Sequence, residues 1–98
     1  MPRASNTDSD KAALTALQAL PGIGPSMARD LLRLGYRAPD ALRGADPEEM
    51  YRGLEALEGR HVDRCVLYVF RCAVHVAETG GPDPALRLWW NWKDRSRA

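Results

Sequence analysis

No apolar stretch in the 98 residues approaches the roughly eighteen that a bilayer-crossing helix needs, so no membrane segment is expected. The opening Met1-Pro2-Arg3-Ala4-Ser5-Asn6-Thr7-Asp8 has no apolar core, so no secretory signal is expected and the chain reads as cytoplasmic. Cysteine is scarce. Two residues exclude a disulfide scaffold and suit free thiols in a reducing compartment. Charge of one sign is also lacking: 14 Lys and Arg against 13 Asp and Glu leave a net +1. That balance argues against a high-affinity, stand-alone nucleic-acid binder and leaves room only for a local basic patch. A nucleophile–base pair, a carboxylate dyad and a nucleotide-cradling loop are all missing, so no enzymatic activity, cofactor or small-molecule substrate is expected. Strand-type alternation is absent too, which points to an all-α chain.

With 45% hydrophobic residues, the chain has enough apolar content for one compact domain with a single core. Residues 1–8 read as a flexible N-terminus, 9–94 as the domain and 95–98 as a basic C-terminal tail. Leu14, Leu17 and Leu20 mark a helix from about Ser9 to Ala19, and a second runs from Pro25 to Leu34, stopped by Gly35. Within the second, Met27, Ala28, Leu31, Leu32 and Leu34 share one side, and Ser26, Arg29, Asp30 and Arg33 the other. A short helical turn is expected over Pro39–Arg43. Asp46-Pro47-Glu48-Glu49 then starts a third helix, with an N-cap, proline at the first position and a capping-box glutamate, ending at Gly59. A long helix of about 27 Å is expected over His61–Glu78, and a last short one from Asp83-Pro84 through Trp92.

Leu20-Pro21-Gly22-Ile23-Gly24, followed by Pro25-Ser26-Met27-Ala28, is the most informative stretch. Two glycines allow a tight turn between helices with its amides facing outward, and Pro25 suits a first helical position. A glycine-lined helix start is a natural anion site. The turn resembles the helix-hairpin-helix motif of DNA-repair and recombination proteins. On that reading the amides of Gly22, Ile23, Gly24 and Ser26, the Ser26 hydroxyl, and nearby Arg29 and Arg33 contact DNA phosphates. The alternative is a turn that only joins two packed helices. Such motifs often carry Lys or Arg after the proline, where this chain has Ser26, so contact would lean on amides that read no base sequence.

Shifting the chain by 37 residues places Leu17, Ala19, Leu20 and Gly22 on Leu54, Ala56, Leu57 and Gly59. The same shift sets Ala28 on Cys65, Leu31 on Tyr68 and Gly24 on His61. The halves therefore read as a tandem pair with a degenerate second hairpin, in a compact, SAM-domain-like bundle of about five helices.

His61, Arg64, Tyr68, Arg71, His75 and Glu78 form a polar stripe on the otherwise apolar long helix, read as its solvated edge, with a strip beside nucleic acid as the alternative. Asp63 reads as a cap. Cys65 and Cys72 lie about 10 Å apart along the helix, too far for one zinc, so no metal site is expected. All three tryptophans fall within Trp89-Trp90-Asn91-Trp92. Trp89 and Trp92 share a face that clamps the last helix, and Trp90 points away; the alternative is that these aromatics, beside Arg87, Lys93, Arg95 and Arg97, stack on bases of single-stranded nucleic acid.

The hairpin, the stretch Asp63–Val74 and Trp89–Asp94 together resemble small bacterial helix-hairpin-helix proteins labelled "pathogenicity locus" or "mitomycin resistance", over about residues 14–94. That resemblance implies a non-enzymatic, DNA-associated role in DNA damage or repair. The expectation is DNA binding without sequence preference, weak and through the backbone. The alternative is a protein–protein adaptor using the same bundle.

Overall fold

A computed structural model describes residues 3–93, with side chains from Ser9 onward. Four α-helices, α1 (Arg3–Leu17), α2 (Pro25–Arg33), α3 (Pro47–Glu58) and α4 (Arg64–Thr79), carry the fold, with 3-10 turns at Pro39–Leu42, Pro84–Arg87 and Trp89–Trp92. No strand occurs among the described residues, and none of their helices is long and apolar enough to cross a membrane. The all-α expectation holds. The helix α1 begins at Arg3, ahead of the expected Ser9, and stops at Leu17, short of Ala19. It stops because the backbone tightens: the amides of Ala19 and Leu20 bond back to the carbonyls of Ala16 and Leu17 at 3.1 Å each, which drives Leu20 into the core. The basic tail 95–98 lies outside the described residues.

Each later boundary has a local cause. Gly24 caps α2 with backbone alone, and Pro25 takes the first helical position. At its other end, Gly35 (φ 100°) lets the amides of Gly35 and Tyr36 return to Leu32 and Leu31 at 3.0 and 2.9 Å, a Schellman closure. Asp46 caps α3 by accepting from the Glu48 amide at 2.9 Å. Glu49, the capping-box residue, makes no reciprocal bond to the Asp46 amide among the described residues, and its neighbour Glu48 pairs with Arg71. The helix α4 starts at Arg64, three residues after the expected His61, because Asp63 takes the cap and accepts from the Cys65 amide at 3.0 Å.

The expected single last helix is two 3-10 turns. Leu88 lies between them in extended conformation (φ −95°, ψ 111°), and no α-helix crosses it.

The central element is α4, with Leu67, Phe70, Cys72, Ala73 and Val74 all at 0% exposure. Leu17, Leu31, Leu42 and Leu54 from the other elements are buried with it in the core. Burying chains of this size contributes about 1.5–3 kcal/mol each, so this cluster dominates stability. The expected solvated stripe on α4 is largely covered: Arg71 is 8% exposed and His75 is half-buried against the Trp92 ring at 5.0 Å.

The internal echo survives with a correction. Gly22 and Gly59 keep the 37-residue spacing and both sit in the left-handed region, at φ 79° and 69°. Beyond them the second turn is two residues longer, so the capping positions Gly24 and Asp63 correspond at a shift of 39. At that shift buried Ala28 and Leu31 meet buried Leu67 and Phe70, whereas the uniform shift had set them on exposed Cys65 and half-buried Tyr68.

Candidate nucleic-acid interface

The turn between α1 and α2 needs glycine at only one of its two glycine positions. Gly22 has φ 79°, and a β-carbon there would stand 3.2 Å from Cδ1 of Trp89 and 3.4 Å from Val69. Gly24 is extended (φ −92°, ψ −172°), a conformation open to any residue, and a β-carbon on it would meet nothing within 4 Å.

The amides divide accordingly. Ile23 donates to the Leu20 carbonyl at 3.2 Å and its side chain is 5% exposed, so this residue faces the core and drops out of the expected contact set. The N–H groups of Gly24, Ser26 and Met27 meet no protein acceptor among the described residues, because the first intrahelical bond is Ala28 to Gly24 at 2.9 Å. Gly24, Pro25 and Ser26 are exposed, so this helix start is open to solvent. Gly22 is also exposed but acts by shaping the turn. Met27 was missed from sequence, although the ordinary geometry of a helix start implies it.

The two arginines separate in role. Arg29, one turn into α2, is exposed and makes no ion pair among the described residues. Arg33 lies at the far end of the helix, about 10 Å further along than Ser26. It pairs with Glu58 of α3 at 2.6 Å and with Asp30 at 3.5 Å. Arg33 therefore joins α2 to α3 and stands apart from the open amides.

Between α2, α3 and the second turn lies a groove of about 320 Å³, lined by Ser26 itself with Asp30, Glu58, Arg60 and Asp63 over a floor that includes Leu54 and Val62. Burial holds the Asp30 carboxyl above the usual range. Hydrogen bonds from Arg33 to Glu58, and from the Cys65 amide to Asp63, hold those two below it. This side is rich in carboxylates and repels phosphate. Arg29 lines a different groove with Leu14, Leu32, Arg33 and an Arg37 that pairs with Asp10 at 2.8 Å.

The second turn is closed. The Glu55 carboxylate accepts from the Val62 amide at 3.1 Å and meets Nδ1 of His61 at 2.9 Å, while Asp63 takes the Cys65 amide. Where the first turn leaves the Gly24, Ser26 and Met27 amides without a protein acceptor, carboxylates take the Val62 and Cys65 amides of the second.

The C-terminal segment lies against this region. Trp89 packs over Gly22, Trp92 is 4% exposed, and Trp90 is 55% exposed, as the expected facing of the three rings required. Arg71 of α4 holds the segment, donating to the carbonyls of Trp92 and Lys93 at 2.9 and 3.3 Å and pairing with Glu48 at 2.8 Å. Sequence reading placed Arg71 on an exposed stripe; its carboxylate and carbonyl partners come from residues over twenty positions away, which no helical projection shows. Cys72 is buried with its Sγ 3.4 Å from the Leu86 carbonyl, and burial pushes its thiol up to about 11. Desolvation, helped by Asp63, pushes the exposed Cys65 thiol up as well. Neither environment activates a thiolate.

The Pathogenicity locus family model matches residues 10–98. The chain belongs to that family. The mitomycin resistance protein McrB of Streptomyces lavendulae is 37% identical over 86 residues, covering 88% of this chain and 75% of that protein. Both labels of the resemblance drawn from sequence are thereby shown. The hairpin, the cysteine-bearing α4 and the tryptophan-rich end all fall within the matched residues of this family. No solved structure matches the chain.

Proposed function

We propose that this family member is a non-enzymatic, cytoplasmic module that binds the phosphate backbone of DNA through the turn between α1 and α2, acting as a helix-hairpin-helix. The observation that carries the reading is the open start of α2: the Gly24, Ser26 and Met27 amides without a protein acceptor, beside the Ser26 hydroxyl and the unpaired Arg29. Aligned peptide dipoles make such a helix start attractive to an oxyanion, and a basic side chain one turn along strengthens it. Backbone donors recognise phosphate and not bases, so binding is independent of sequence. A relative named for mitomycin resistance fits a setting of DNA damage.

With one open turn and a net charge of +1, few phosphates are engaged and affinity is low. Titrating labelled duplex across a salt series tests this. Arg29→Glu should weaken binding several-fold and flatten the salt slope by about one phosphate contact. Gly24→Val should reduce binding to background at an unchanged melting temperature, because its side chain stands in open solvent in front of the amides. Duplex binding that both variants leave intact overturns the assignment.

A further inference from the structure

An exposed indole follows directly on the tryptophan that packs against Gly22 of the first turn. Trp90 is 55% exposed, and its neighbour Leu88 is 39% exposed, the two adjoining a segment that is otherwise held down. Trp89 packs on the turn at Gly22, and its ring meets that of Trp90 edge-on at 5.7 Å and 82°. One face of Trp89 is therefore spent on the protein, and it props Trp90 outward beside the turn. Chain reach places the Trp90 ring within about 20 Å of the Gly24 amide, a span of a few nucleotides. From Pro84 to Lys93 the segment carries Arg87 and Lys93 and is bounded by Asp83 and Asp94, with Arg87 donating to the Gly81 carbonyl at 3.4 Å. The segment is also rigid: Arg71 grips the Trp92 and Lys93 carbonyls, the indole N–H of Trp92 donates to Leu86 at 3.0 Å, and the Asn91 amide donates to Ala85 at 2.8 Å.

From this we infer that Trp90 is a stacking platform for an unpaired base, and that the module selects single-stranded DNA over duplex. The inference rests on the phosphate-binding reading and adds to it the class of DNA. Every base has a π-face, so an exposed indole on a segment held in place binds a single strand with little regard to sequence, whereas bases in a duplex are already stacked on each other. Leu88, alongside Trp90, extends the apolar surface on which a displaced base rests.

The test compares the full chain with labelled oligothymidine and with a duplex of equal length, by fluorescence anisotropy at low salt. The wild type should favour the single strand by about tenfold, the effect of one base stacked on an aromatic ring. Trp90→Leu keeps an apolar side chain without a π-face and should bring single-strand affinity down to the duplex level. Trp90→Phe should retain most of the preference, and neither variant should change duplex affinity. Since Trp90 is exposed, both should melt with the wild type, which circular dichroism checks.

Equal affinity of the wild type for both DNAs, or a preference that Trp90→Leu leaves in place, overturns the platform, including the case in which this surface receives a protein instead. Gly24→Val separates the two readings. If it abolishes duplex binding while Trp90→Leu changes nothing, the phosphate site stands and the platform falls. If Gly24→Val leaves duplex binding intact while Trp90→Leu still removes the single-strand preference, the platform stands and the phosphate site falls. Absence of binding to either DNA overturns both.

Discussion

At the scale of the residue, the two glycines of the first turn do different work. Gly22 is there for the backbone: its φ of 79° costs a side chain about 1 kcal/mol, and a β-carbon would crowd Trp89 at 3.2 Å. Gly22→Ala should therefore lose about 1–2 kcal/mol of stability in urea unfolding. Gly24→Ala should change stability by about 0.5 kcal/mol or less, because in an extended residue in open space the smaller unfolded-state entropy offsets alanine's poorer N-cap preference. Equal losses for the two would contradict the conformations described. Gly24 matters as an opening in front of the amides, a property that stability measurements do not see. The same contrast separates Ile23, whose amide and side chain both turn inward, from Ser26, which stays open.

At the scale of the element, α4 and the C-terminal segment behave as one unit. Arg71 is the joint, with three of its bonds reaching Glu48, Trp92 and Lys93, and Nε buried without a hydrogen-bond partner. A buried guanidinium with an unsatisfied nitrogen is held in place by the bonds it does make. Arg71→Met fills similar volume but leaves two carbonyls and a carboxylate without their donor. It should cost about 2 kcal/mol and shift tryptophan emission to the red as Trp92 gains water. An unchanged emission maximum would show that Trp92 and Trp89 hold the segment by packing alone. The two turns also differ as elements: the Glu55 and Asp63 carboxylates close the second, and the first has no acidic residue within it.

At the scale of the whole molecule, carboxylates link the helices and set the acid limit of stability. Glu58 sits below its ordinary 4.5 because Arg33 donates to it, and Asp63 sits below its ordinary 3.8 because the Cys65 amide does. Both contribute stability that is fully present above those ordinary values and is lost as pH falls through the lower folded ones. Asp30 runs the other way, since burial raises it above 3.8 and protonation favours the fold. The net expectation is a melting temperature that declines below about pH 4.5, and Glu58→Gln should flatten that decline. A pH profile identical to wild type in that variant would remove the Arg33–Glu58 link from the account. The effect per pair stays small, because solvent screens these exposed partners.

The linear pattern was enough for what depends on neighbours along the chain. Helix class, the Pro47 and Pro25 starts, the Asp46 and Asp63 caps, and the stops at Gly35 and Gly59 are set by backbone bonds spanning five residues or fewer. The family resemblance was legible for a similar reason, since it rides on three short stretches read in order. Packing decided the rest. Whether Arg71 is solvated or buried, whether Arg33 is free or paired with Glu58, and that Trp89 rests on Gly22 depend on segments brought together from distant positions. The longer second turn shows the boundary between the two: its glycine is visible in sequence, but burial of Val62 and the Glu55 bond to its amide set the true correspondence. Local rules choose a conformation, and only burial decides which donors and rings are left for a partner.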